Sequence, residues 1–223
     1  MKILSHVALI ALSCVATASF AADVPLYETG PSEDSSFLRF VNATPQTLDI
    51  TAAGSKGKTT LPVDKPTTQY FPIKAKSGIN GTLSGGGSQA PVNVTVEPGE
   101  FATVFALPSA NNALTARVIR EQPDDFNATK VSLAFYSVDD ACKDASVQVA
   151  GRSVMLFEKL AAGEIKRRSI NPITLSVQLL CSGTATGEPL PLGALQAGQR
   201  YSLFAVPGTG RTRIVLASDA LAN

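Results

Sequence analysis

The chain of 223 residues contains no tryptophan and a single histidine, His6. That histidine lies in a segment with the features of an export leader. Lys2 supplies a positive charge, Ile3 to Ala18 is almost wholly apolar, and Ser19 and Ala21 stand where a signal peptidase requires small residues. The apolar run is short for a membrane span, and a small-residue cleavage site follows it. Cys14 belongs to this run as an ordinary apolar residue. Cleavage is therefore expected after Ala21, exporting a chain with no histidine left. Without histidine, neither a Ser-His-Asp nor a Cys-His site can be assembled, nor a zinc site that uses an imidazole. No cofactor is expected.

An excess of charge is also missing. The sequence has 19 basic and 18 acidic residues, and loss of Lys2 with the leader makes the two counts equal. A neutral chain has no general attraction for nucleic acid or for an anionic membrane surface. Cysteine is sparse: beyond the leader only Cys142 and Cys181 remain. In an oxidising compartment an even count argues for a disulfide, and two cysteines allow one pairing. Closing that loop is worth roughly 4 kcal/mol if chain entropy dominates. Their wide separation, with no histidine near, suits neither a redox pair nor zinc.

Helical periodicity is scarce too. "KLAAGEIKR" allows one helical turn, and Gly163 argues against more. What the chain has is strands. "FLRFVNA" is a short apolar run; "TLDIT" and "VNVTV" alternate apolar and polar residues; "EFATVFAL" is apolar on both faces, as a central strand would be. Turn-rich segments such as "AAGSKGKT", "KSGINGT" and "SGGGSQ" separate them. The order then recurs. "VSLAFYS" answers "FLRFVNA", "ASVQVAG" answers "TLDITAAG" with Val147 and Val149 at the places of Leu48 and Ile50, and "ITLSVQLLC" alternates again. "PGEFATVFALPS" is nearly restated as "AGQRYSLFAVPG", so that Gly99 matches Gly198 and Phe105 matches Phe204.

The expected fold is therefore all-β, with two tandem β-sandwich domains from an internal repeat of about 95–100 residues, a length that suits one sandwich. Residues 1–21 are the leader, 22–35 a polar lead-in, 36–119 the first sandwich, 120–129 a linker and 130–219 the second sandwich. A single larger barrel is the structural rival.

Candidate chemistry is thin. Ser55-Lys56-Gly57-Lys58 has the spacing of a Ser-Lys motif but sits in a Gly-rich turn with no accompanying K-T-G strand. "SGGGSQ" has no G-K-[ST] and no following helix, so it is a hairpin tip. Asp139, Asp140 and Asp144 in "DDACKD" are favoured turn residues before they are calcium ligands. Lys166, Arg167 and Arg168 form the densest basic cluster. On a strand, Lys166 and Arg168 point one way and Arg167 the other. They either solvate an edge strand or contact an acidic partner or an anionic polysaccharide. Of the four tyrosines, Tyr136 and Tyr201 fall in core-like strands, leaving Tyr27 and Tyr70 as a thin platform for a sugar.

Three stretches, "LYETGPSEDSSFLRFVNA", "INPITLSVQLLC" and "LQAGQRYSLFAVPG", carry a resemblance to the AlgF family of alginate O-acetylation proteins, and to its counterpart in bacterial cellulose acetylation. The resemblance implies a periplasmic adaptor of two sandwiches that is required for O-acetylation of a secreted exopolysaccharide without transferring acetyl groups itself. It implies partners among the membrane and periplasmic O-acetyltransferase proteins of that pathway, and no catalytic residue in this chain. A carbohydrate-binding module for the exopolysaccharide is the alternative.

Overall fold

A computed structural model describes residues 35–122 and 127–222. The expected leader, Tyr27 and most of the lead-in lie outside the described residues, as does the middle of the expected linker. The first half runs β1 (Ser35–Asn42), β2 (Leu48–Ala52), β3 (Lys58–Leu61), β4 (Phe71–Lys74), β5 (Gly78–Gly85), β6 (Ser88–Thr95), β7 (Phe101–Pro108) and β8 (Leu114–Glu121). The second half runs β9 (Val131–Ser137), β10 (Ala145–Val149), β11 (Met155–Leu160), β12 (Ile165–Ile170), β13 (Ile173–Cys181), β14 (Thr184–Leu195), β15 (Arg200–Val206) and β16 (Arg213–Ser218). Strand β1 thus begins at Ser35 itself, and β8 carries Arg120 and Glu121, which the sequence reading placed in the linker. Ala161 to Glu164 form a tight turn between β11 and β12, closed by the Glu164 amide on the Ala161 carbonyl at 3.1 Å, where a helical turn was allowed for.

The two halves have one topology. Four-stranded sheets of order β3-β2-β5-β6 and β4-β1-β7-β8 make the first sandwich; β11-β10-β13-β14 and β12-β9-β15-β16 make the second. In each, one pair is parallel: β1 with β7, and β9 with β15. The two-residue hairpin tips fix the correspondence between copies. Gly85 pairs with Ser88 around Gly86-Gly87, and Cys181 pairs with Thr184 around Ser182-Gly183. All four tip residues have positive φ, the backbone that a two-residue hairpin turn needs. Counting back from the tips, Leu83 matches Leu179 and Gly81 matches Val177. Since Ile50 pairs with Leu83 and Val147 with Leu179, Val147 takes the place of Ile50, not of Leu48. A slip of two residues leaves every side chain on its original face, so the alternation of apolar residues could not detect it.

Three apolar clusters order the layers. Leu38, Phe40, Ala102, Val104 and Ala106 from the β4-β1-β7-β8 sheet meet Leu48, Leu61, Leu83 and Val92 of its partner sheet. Leu133, Phe135, Leu203 and Ala205 meet Val147, Phe157, Val177 and Leu179 in the second sandwich. The third cluster joins the halves: Val41, Phe105, Leu107 and Ile119 pack against Ala134, Tyr136, Phe204 and Val206. The doubled motif is thereby explained. Strands β7 and β15 are central in their sheets, and those sheets are covered on both faces, so both phases of the alternation must be apolar. Val104 and Leu203 fill the two sandwich cores. Phe105 and Phe204 meet across the junction, edge to face, with ring centroids 5.5 Å apart, a favoured aromatic geometry.

Candidate functional site

Of the three basic residues singled out in sequence, the structure separates one from the others. Lys166 and Arg168 lie on the exposed face of the edge strand β12. There Lys166 donates to the Glu158 carbonyl at 3.1 Å and Arg168 to the Leu156 carbonyl at 2.8 Å. Arg167 points the opposite way, as alternation requires, and its side chain is only 7% exposed. It is not available to a partner. It belongs instead to the junction between the sandwiches.

The junction holds two arginines and two carboxylates. Arg39 on β1 donates to Asp219 Oδ1 at 2.6 Å, Thr103 Oγ1 at 2.9 Å and Ser202 Oγ at 2.9 Å. Its guanidinium lies 4.3 Å from the Tyr70 ring centroid and 4.7 Å from that of Phe204, within cation–π range. Arg167 donates to Asp219 Oδ2 at 2.8 Å, to both oxygens of Glu121 and to Ser132 Oγ at 3.1 Å. The Tyr136 hydroxyl donates to Glu121 at 2.8 Å, and that of Ser202 to Asp219 at 2.7 Å. Asp219, just past β16, thus ties the first strand of one half to an edge strand of the other. The backbone beyond it continues the strap: the Tyr70 amide donates to the Ala220 carbonyl at 2.9 Å, and the Ala222 amide to the Tyr70 carbonyl at 2.8 Å.

The charge states follow from this packing. Burial works against the charge on Asp219, but Arg39 and Arg167 more than offset it and hold the carboxyl below its ordinary range. Burial likewise disfavours charged Arg39 and Arg167, yet Tyr70 and Asp219 beside Arg39, and Glu121 and Asp219 beside Arg167, keep both guanidiniums more basic than usual. Burial pushes the Tyr70 and Tyr136 phenols up, Tyr136 strongly. The cluster is therefore a lock of two guanidiniums facing two carboxylates, with buried tyrosines around it. Sequence reading missed it, although Arg39 in the middle of the apolar run "FLRFVNA" was a visible signal. A charge there needs a partner, and the partner lies 180 residues away.

Other sequence candidates resolve into structure. Ser55 Oγ accepts from the Gly57 amide at 3.0 Å within its exposed turn. Asp139 accepts from the Ala141 amide at 3.0 Å and from the Thr212 hydroxyl at 2.6 Å, and Asp140 pairs with Arg117 at 2.9 Å. These are turn and junction contacts. Among the described residues no three His, Cys, Asp or Glu side chains come together as metal ligands. Cys142 and Cys181 form a disulfide with Cα atoms 4.8 Å apart, tying the loop before β10 to the end of β13. Tyr70 is 1% exposed. It cannot present a face to a sugar, contrary to the sequence reading, because Arg39 and Phe101 cover its ring.

Open features lie along the sheet edges. Between the β3 and β4 edges the first sandwich has a cleft of ≈ 430 Å³ with Leu38, Phe40, Ile50, Phe71, Ile73 and Ile79 in its walls. The matching edges of the second sandwich, β11 and β12, also border an open feature of ≈ 500 Å³, lined by Met155 to Glu158 and Lys166 to Arg168. Phe157, paired with Val147, is buried and packs on Phe135 at 5.6 Å. The first sandwich has the small polar Thr59 there, paired with Ile50, and Gly81 where the second has Val177. A Cβ on Gly81 would approach the Thr51 carbonyl oxygen to 2.7 Å, so the cleft cannot be filled from that side.

No family model matches the chain. The chain is 24% identical over 199 residues to the alginate biosynthesis protein AlgF of Pseudomonas fluorescens, covering 89% of this chain and 84% of that protein. Among solved structures, a family CBM26 module from Eubacterium rectale Amy13K, crystallised with maltoheptaose, aligns with 83% of this chain and 98% of its own. The identity is 8% and the TM-score 0.25. A candidate cell adhesion protein from Bacteroides uniformis aligns with 82% of this chain and 96% of its own, at 8% identity and a TM-score of 0.27. At such scores these two structures carry no argument about this chain, whereas the likeness to AlgF runs through both sandwiches.

Proposed function

We propose that the protein is a non-catalytic periplasmic adaptor required for O-acetylation of a secreted exopolysaccharide, alginate or cellulose, and that it acts by binding acetyltransferase components of the biosynthetic complex. The observation that carries this reading is the similarity to AlgF along 89% of the chain, joined to the sequence resemblance described above. The architecture supports it. Two sandwiches locked through a buried ionic cluster form one body with free sheet edges at each end, and such edges are recurrent sites of strand-mediated recognition. Holding two enzymes on one body raises the concentration of each that the other experiences.

Deletion of the gene should abolish acetylation while polymer synthesis continues, and the purified protein should co-purify with acetylation proteins under mild conditions. Acetyl transfer or esterase activity by the purified protein alone would overturn the reading. Retention on immobilised polysaccharide without any protein partner would favour a carbohydrate-binding module instead.

A further inference from the structure

The cleft of the first sandwich grades from an apolar interior to a polar mouth. Its inner walls include Leu38 and Phe40 of β1 and Val92 of β6, all buried, with the half-buried Phe71, Ile73 and Ile79 beside them. At the mouth stand Ser55, Lys58 and Thr59, all exposed. Lys58 is the one charged side chain among the lining residues, and no acidic residue lines the cleft among the described residues.

The space has the form of a slot. It lies between two sheet layers, which pack about 10 Å apart when side chains fill the gap. Its lining runs from Thr59 on β3 past Ile50 and Gly81 to Val92 on β6, three strand spacings or roughly 14 Å. Gly81 adds no side chain to the gap, and the 2.7 Å approach of a Cβ there to the Thr51 carbonyl oxygen keeps it a glycine. The backbone itself therefore sets the space. The volume of ≈ 430 Å³ falls in the range of small-molecule sites, and apolar cavities take apolar guests in preference to water. A slot one side chain thick and several strands deep suits a straight run of methylenes. It excludes a sugar ring, whose hydroxyls would face Leu38 and Phe40 without partners. At the mouth Lys58 spends one of its three donors on Asp49 at 2.7 Å, and with no acidic residue in the lining the polar end of such a guest is best met as an anion.

We propose that this cleft is a binding site for a linear aliphatic carboxylate, which enters tail first, lays its chain against Phe40, Phe71, Ile73 and Ile79, and leaves its carboxylate at the mouth beside Lys58. The site needs no acetylation protein, so it stands or falls apart from the adaptor role.

Calorimetric titration of the purified protein with octanoate, decanoate and dodecanoate, each kept below the concentration at which it forms micelles, tests the proposal. The expected result is one site per chain and an affinity that rises about fourfold for each added methylene. Absence of saturable binding, or an affinity indifferent to chain length, overturns the proposal. Location is read from two variants. Ile79→Trp fills the slot, and Thr59→Trp, at an exposed position of the mouth, obstructs it with the least disturbance to folding. Either should weaken decanoate at least tenfold, and unchanged affinity in a variant that still unfolds cooperatively overturns the placement. Lys58→Gln should weaken decanoate by about twofold to fivefold and leave 1-decanol unaffected. Equal weakening of both, or of neither, overturns the assignment of the anionic end.

Discussion

Asp219→Asn is the most telling single change, because it removes one charge and little volume from the buried junction. In the native protein two guanidiniums face two carboxylates, and the side chains of Arg39 and Asp219 are 1% and 2% exposed. With asparagine at 219, Arg39 has at most a neutral amide oxygen there beside the Thr103 and Ser202 hydroxyls and its aromatic neighbours, and the cluster carries one uncompensated positive charge. Breaking a buried ion pair from one side costs about 3–5 kcal/mol. The aromatic contacts do not reduce that cost, since they are present before and after the change. For a urea slope of about 1–3 kcal/mol/M the unfolding midpoint should fall by roughly 1–5 M. Arg39→Met leaves the opposite excess and should cost a comparable amount. The double variant restores balance, with Arg167 facing Glu121, and should be clearly more stable than the sum of the two losses implies. If Asp219→Asn costs less than about 1 kcal/mol, in the range of exposed pairs, or if the two changes simply add, the cluster is not the buried lock described here. The sign of the pH effect follows from the same carboxylate. Its folded pKa lies below the ordinary value of 3.8, so the unfolded chain binds more protons below about pH 4. Stability conferred by Asp219 is complete above that range and is lost as the pH falls through its folded pKa, which a series of urea titrations from pH 6 downward would follow.

At the alkaline end the tyrosines act: the Tyr70 and Tyr136 phenols are pushed up by burial, so the unfolded chain loses their protons first and stability should decline above about pH 10. Tyr136→Phe should flatten that decline in denaturant titrations, and an unchanged slope would place the ring in solvent. Replacing Cys142 and Cys181 together by alanine should destabilise the protein by about 4 kcal/mol, measured by calorimetry, whereas a loss below about 1 kcal/mol would mean that the loop is already ordered without the bridge. A fragment of residues 35–121 bares Val41, Phe105 and Leu107 together with Arg39 and Glu121. It should self-associate on size-exclusion chromatography or unfold at lower denaturant than the whole chain, and a monomer of undiminished stability would refute the importance of the junction.

Much of the fold was legible because the chain states it twice. The apolar alternation of β6 and β13, the two-faced apolar run of β7 and the turn clusters between them each specify a strand with a known degree of cover, and the even cysteine count specified the bridge. The relation between the halves was harder to read. Tandem sandwiches on a linker and sandwiches packed sheet to sheet have the same strand order, and the difference rests on which face of β1, β7, β9 and β15 is apolar. The signal was present in Phe105 and Phe204, whose phase is opposite to that of Val104 and Leu203. Arg167 misled for a related reason: a triplet of basic residues looks like one patch, yet a strand sends its middle member to the other side. Asp219 gave no local sign of its role, because its partners come from residues 39 and 167, brought to it only by the folded junction.

The two copies agree where they meet and differ where they face outward. Toward the junction, Phe105 and Phe204, and Thr103 and Ser202, occupy matching positions on β7 and β15 with like chemistry. The large cations do not duplicate. Arg39 stands on β1 where β9 has Ala134, and Ala134 is instead the pair of Arg167 on β12, so each half contributes one guanidinium from a different strand and the two fit without collision. Away from the junction the copies part. One sandwich carries an apolar cleft beside Lys56 and Lys74. The other buries Phe157 at the position of Thr59, carries the disulfide and presents Lys166 and Arg168 on its edge. Two identical ends would bind two copies of one partner. Two unlike ends, locked together by a buried cluster, are what an adaptor needs to hold two different proteins at a fixed separation. Under the proposed adaptor role, the advantage of such tethering depends on a fixed separation, and the lock at Arg39, Asp219, Arg167 and Glu121 is what holds the two sandwiches at one spacing.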